Sequence, residues 1–204
     1  MNRRLLFIAL GAGSAWLAGC ASVGIVTSDV SSFGEWPAGR QPGSYAFERL
    51  PSQQAQTDEA TMLEQAAAGA LAKAGFKPAA AGQEPDVLVQ LGARFLQSVR
   101  APWDDPLWWG GGFGRFRNGP WMGPSWSMSW RYQSTVYQQD VAILLRDRAS
   151  GKPLFEARAS NDGTSRADAA TVAAMFEAAL MDFPKLGINP RRVTVTLPPP
   201  PPPR

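Results

Sequence analysis

The sequence predicts an α+β fold: a largely antiparallel sheet of about four to six strands, with two helices packed on one face. Three observations carry this. Asp86–Val99 and Tyr132–Arg146 alternate apolar and polar residues over long runs, which gives each strand one buried face. Two stretches repeat apolar residues at helical spacing, at 58–75 and 165–182. Strands come in runs, with the helices set apart from one another, which is the order of an α+β domain and not of a βαβ repeat.

The elements follow in chain order. Val23–Val30 is β-branched and reads as a strand, and Ser44–Leu50 alternates with Tyr45 and Phe47 on one face before Pro51 stops it. Gly34, Pro37, Gly39, Pro42 and Gly43 break the chain between them. In the first helix Thr57 or Asp58 is placed to cap, Leu63, Ala67, Ala70, Leu71 and Ala74 form the apolar stripe, and Gly75 suits the C′ position before the anchor Phe76. Its alanines predict close packing on a sheet. Val87, Val89, Leu91, Ala93 and Phe95 mark the buried face of the central strand. Asp147–Lys152 is a turn, and Pro153–Ser160 returns from it to make the last hairpin. In the second helix Ser165 with Asp168 resembles a capping box, Val172, Phe176, Ala179, Leu180 and Phe183 form the stripe, and Pro184 ends it. Arg191–Leu197 reads as an edge strand. Pro198–Pro203 is a run of six prolines, extended and without a core.

Composition excludes several classes of function. The 204 residues contain no His and one Cys, which removes Ser-His-Asp and Cys-His nucleophiles, His-based zinc sites and any internal disulfide. No metal or cofactor is expected. Beyond residue 19 the balance is 18 basic against 17 acidic residues, too even for a nucleic-acid binder.

The N-terminus reads as an address. Arg3 and Arg4 precede a short apolar run, Leu5–Trp16, which is too short to span a bilayer. Leu17-Ala18-Gly19-Cys20 then resembles the lipobox of bacterial lipoproteins. That resemblance implies a signal peptide over 1–19, cleavage between Gly19 and Cys20, and acylation of Cys20. Residues 20–24 are then a lipidated linker, and several acyl chains suffice for stable anchoring. Ala21, in place of Asp, implies export to the outer membrane, with the domain facing the periplasm.

Residues 101–131 fit neither period and read as a long loop before the last hairpin. They hold six of the eight Trp (Trp103, Trp108, Trp109, Trp121, Trp126 and Trp130) and six Gly. Interleaved with Arg115 and Arg117, these rings fit a recognition surface for an envelope protein, a glycan or the lipid headgroup zone. They equally fit a cover for the sheet's second face, which carries Leu88, Leu96, Leu144 and Leu154. Gly110–Gly114 lacks the spacing of a phosphate-binding loop. Asp104, Asp105, Asp140, Asp147, Glu156 and Asp162 leave open a glycan-active enzyme that uses carboxylates. Ser150 and Lys152 read as turn residues, not a dyad.

Four stretches in order after the lipobox resemble one family. They are Ser44–Phe47 with Pro51, Glu84–Val89, Asp147 with Ser150–Phe155, and Met181–Pro184. Over residues 25–185 the chain is similar to the bacterial lipoproteins of domain of unknown function number 4136. The resemblance implies an envelope lipoprotein with an α/β sandwich, and no catalytic residues. The expectation is a non-enzymatic, lipid-anchored, structural or partner-binding module, with 186–204 as a C-terminal segment.

Overall fold

A computed structural model of the chain describes residues 24–99 and 135–198. The strands are β1 (Ile25–Gly34), β2 (Ser44–Phe47), β3 (Lys77–Pro78), β4 (Val87–Val99), β5 (Thr135–Asp147), β6 (Pro153–Gly163) and β7 (Arg191–Thr196). The helices are α1 (Pro51–Ala55), α2 (Thr57–Lys73) and α3 (Ala169–Leu180). One seven-stranded sheet runs β3-β2-β4-β5-β6-β1-β7.

The α+β class holds, and the finer expectation needs correcting. The sheet has seven strands where four to six were expected, and it is mixed. The pairs β4–β5, β5–β6, β6–β1 and β1–β7 are antiparallel, while β2 runs parallel to both β3 and β4. The parallel pair follows from connectivity, because α2 carries the chain back across the sheet between β2 and β4. β3 has two residues, too few for any periodic signal. There are three helices among the described residues, not two. Pro51 does not merely stop a strand; it is the first residue of α1, where a missing N–H costs nothing.

Two caps also differ from the sequence reading. Thr57 lies inside α2, and its hydroxyl donates back to the Gln54 carbonyl because α1 abuts it. Asp168, not Ser165, is the N-cap of α3: its Oδ1 accepts the Thr171 N–H at 2.7 Å. That bond holds the Asp168 carboxyl below the usual carboxylate range. The C-terminus of α2 is as expected. Gly75 takes φ +93°, its N–H bonds the Ala72 carbonyl and the Phe76 N–H bonds that of Leu71, which makes a Schellman motif.

One face of the sheet forms the core with α2 and α3. Val30, Val87, Val89, Val141, Ile143, Leu145, Phe155, Ala157 and Ala159 meet Leu63, Ala67 and Leu71 from α2, and Val172, Met175, Phe176 and Ala179 from α3. Ala67, Ala157, Ala159 and Ala178 are fully buried, so small side chains let helix and sheet approach closely. Lys73 and Glu177 link the two helices at 2.6 Å.

The other face of the sheet carries paired charges. Gln90 Nε2 and Arg146 both donate to Glu48, Arg158 pairs with Glu156, and the Ser160 hydroxyl donates to Asp140. Leu96 is exposed on this face, while Leu154, left unpaired at the register shift between Leu145 and Arg146, is buried with the core.

Register defines two ends. At the lower end Ile25 pairs with Thr196, Val99 with Thr135 and Tyr137 with Gly163. At the upper end Gly34 pairs with Phe155, Val87 with Asp147 and Tyr45 with Val87.

Candidate functional site

The upper end holds a built groove. Three glycines and two prolines take residues 34–43 across the sheet's top edge. Gly34 starts this path at φ +105°, where an added Cβ would sit 2.6 Å from the Leu154 carbonyl oxygen. The Trp36 ring then meets Phe183 edge-on at 4.8 Å and Phe76 at 5.6 Å. Phe183 also meets Phe76 at 5.2 Å and Phe155 at 5.1 Å. Trp36, Pro37, Pro42, Ala74, Phe183 and Pro184 line an open groove of about 320 Å³.

Arg40 fixes the groove's rim. Its guanidinium lies 5.4 Å from the Trp36 ring centre, close enough for a cation–π contact. Its carbonyl accepts the Trp36 indole N–H at 2.9 Å. Its two nitrogens reach Asp147 at 2.7 Å and the Asp86 carbonyl at 3.2 Å. Asp86 in turn accepts the Ser44 N–H and hydroxyl, both at 2.7 Å, which holds its carboxyl low. Asp147 accepts the Ser150 hydroxyl and N–H besides Arg40, and these donors pull its pKa down to about 2. The groove is therefore apolar and aromatic, with one cation on its rim that is already matched by an ionised partner. Such a lining offers ring faces and apolar area for contact.

The candidates read from sequence are distributed unevenly. Gly19, Cys20 and the six tryptophans from Trp103 to Trp130 lie outside the described residues, as do Asp104 and Asp105. The structure does show where those segments leave the fold. Gly24, Val99, Thr135 and Pro198 all lie at the lower end. Ser150 is committed to Asp147, and Gly151 takes φ +67°, so Ser150 and Lys152 belong to a turn as read. Asp147 and Asp86 serve turns and loops, Asp140 holds Ser160, and Glu156 pairs with Arg158. Among the described residues no carboxylate is fully buried, and no group of three or more acids, His or Cys is spaced to hold a metal. No described helix is long and apolar enough to cross a membrane.

The groove itself escaped the sequence reading. Trp36 stood among turn residues with no periodic context, and its ring partners come from positions 76 and 183. The only local signal was an Arg four residues after a Trp in a loop.

Fold and site together define a two-layer α+β module with a surface groove and, among the described residues, no assembled catalytic centre. The chain belongs to the family described as Domain of unknown function (DUF4136), which matches residues 29–185. The four stretches that carried the resemblance meet at the upper end, where Ser44, Asp86, Asp147 and Phe183 stand around the groove. No curated protein matches the sequence. Among solved structures, the chain is similar to a PDZ domain protein from Parabacteroides distasonis. The identity is 14% and the TM-score 0.48, over 91% of this chain and 42% of that one, so this chain spans less than half of that protein's length. It is also similar to the PelC dodecamer from Paraburkholderia phytofirmans, at 13% identity and TM-score 0.40, over 75% of this chain and 94% of that one.

Proposed function

We propose that the chain is a non-enzymatic lipoprotein of the outer membrane, tethered through Cys20 and facing the periplasm. In this reading it is a partner-binding module whose Trp/Gly-rich segment works beside the membrane. One observation carries it: the chain enters the sheet at Gly24, and the segment 101–131 leaves and re-enters at the same end. Three residues lie between Cys20 and Gly24, and the four Cα–Cα steps reach at most about 14 Å. An acylated Cys20 therefore holds the lower end near the headgroups, the zone where indole rings partition. The groove around Trp36 then faces away from the membrane, available to a periplasmic partner.

Two variants test this. Cys20→Ala should move the protein from the membrane to the soluble fraction or leave it unprocessed. A mature, lipid-modified Cys20→Ala protein would sink the anchor. Replacing 103–130 by a Gly/Ser linker should leave a folded protein that loses its crosslinked envelope partner. An unchanged set of crosslinks would remove the segment's role.

A further inference from the structure

β4 outruns its neighbour. β2 pairs with it only at Val87–Val89. Below that, the Glu48 N–H donates to the Val89 carbonyl at 2.9 Å, and the Gln53 side-chain amide donates to the Leu91 carbonyl at 2.7 Å. Past Leu91 no described strand adjoins this side, yet β4 continues to Val99. Main-chain groups alternate sides along a strand. Since Val89 and Leu91 face the β2 side, Ala93, Phe95 and Gln97 present their N–H and C=O groups to the same edge, which is open among the described residues.

β7 is the sheet's opposite edge. The Leu197 N–H donates to the Gly24 carbonyl, so Leu197, Val195 and Val193 bond inward to β1. Arg192, Thr194 and Thr196 therefore aim their main-chain groups outward. Soluble proteins blunt such edges with charged side chains, proline, bulges or very short strands, and the two charges of β7, Arg191 and Arg192, are already paired with Asp182 and Asp29. β3 does so, with two residues ending in Pro78. β7 has six residues, no proline and no break in its register with β1.

The two open edges match. Both belong to the lower half of the sheet, because Arg192, Asp29, Ser160, Asp140 and Arg94 form one cross-strand row. Both strands run from the upper to the lower end. The six residues of β7 span about 20 Å, which fits within the roughly 26 Å of β4 that continue past Leu91. On the core side, half-buried Ala93 and Phe95 would lie beside Val193 and Val195 of a neighbour.

We propose that copies of this chain assemble edge to edge, β7 of one adding parallel to β4 of the next in the place that β2 vacates. The contact is heterologous, so it repeats into a ring or an open row. It also keeps every lower end on one side, as a shared membrane requires. Only that last point rests on the lipid-anchor reading.

The test uses the full-length chain in its membrane, carrying Leu96→Cys and Thr194→Cys together. Both side chains are exposed on the face of the sheet away from the helices. Oxidation with copper phenanthroline should yield a ladder of dimers, trimers and larger species on a non-reducing gel. Each single variant, and the parent with Cys20 alone, should stay monomeric. A monomeric double variant overturns the proposal. So does a Thr194→Cys dimer as abundant as the double variant's, since that marks a two-fold β7–β7 contact. Adding Thr196→Pro to the double variant removes an outward N–H and no bond to β1. It should cut the ladder at least tenfold while the thermal midpoint stays within a few degrees, and a persisting ladder overturns edge pairing. A chain that forms the ladder but fractionates as soluble refutes the anchor and leaves this pairing standing.

Discussion

The two ends of the sheet are built differently. At the upper end every connection is tied down. Trp36 bonds Arg40, Arg40 bonds Asp147 and the Asp86 backbone, and Asp86 bonds Ser44. Asn189 grips Ser32 through both its amide oxygen and its amide nitrogen, so that a side chain prolongs the β1–β7 ladder by one step. Four aromatic rings fill the space beneath. At the lower end the chain instead enters at Gly24 and leaves toward the tryptophan-rich segment and the polyproline tail, beside two strand edges with no described neighbour. The stretches in which the sequence resembles the family thus hold the fold together, while the compositional oddities sit where the fold is left. Recognition commonly works this way, with variable segments carried on a scaffold that folds without them.

The sharpest way to break this contrast is through stability. Phe76→Ala empties a buried position beneath the groove and should cost about 3–4 kcal/mol in urea unfolding. At the N-terminus of α3, Asp168→Ala removes one cap bond and should cost about 1 kcal/mol by the same measurement. Replacing residues 103–130 with a linker should cost under about 1 kcal/mol, since loops add little to a formed core. A loss as large as that of Phe76→Ala would show that the segment completes the core by covering the second sheet face. The smallest effect concerns pH. Asp147 titrates near 2 in the fold against an ordinary 3.8, so it stabilises at neutral pH, and that contribution fades as pH falls from about 4 toward 2. Asp147→Asn should flatten the thermal midpoint against pH in that window. An unchanged slope would mean that the Arg40–Asp147–Ser150 network does not hold the upper end.

What was legible in the sequence followed from periodicity. β4, β5 and β6 announced themselves through long alternation, and the stripe Val172–Phe176–Ala179–Leu180 placed α3 before its partners were known. Gly75 and Phe76 specified how α2 ends. Features that depend on distant residues were not legible. Nothing local to Lys77–Pro78 marks a strand, and the parallel β2–β4 pair exists only because α2 brings the chain back. Ser165 looked like a cap, but its carbonyl is taken by Gln139 Nε2 at 2.8 Å, and Asp168 caps instead. The groove was hidden for the same reason, since its four rings come from separated parts of the chain.

The length of β4 has a consequence for reach. Thirteen residues at about 3.3 Å each make a strut of roughly 43 Å. For a chain tethered at Cys20, that strut is a ruler standing on the bilayer. Under the proposed anchor it would set the height of the groove above the headgroups, and a partner of the proposed kind would have to reach that height.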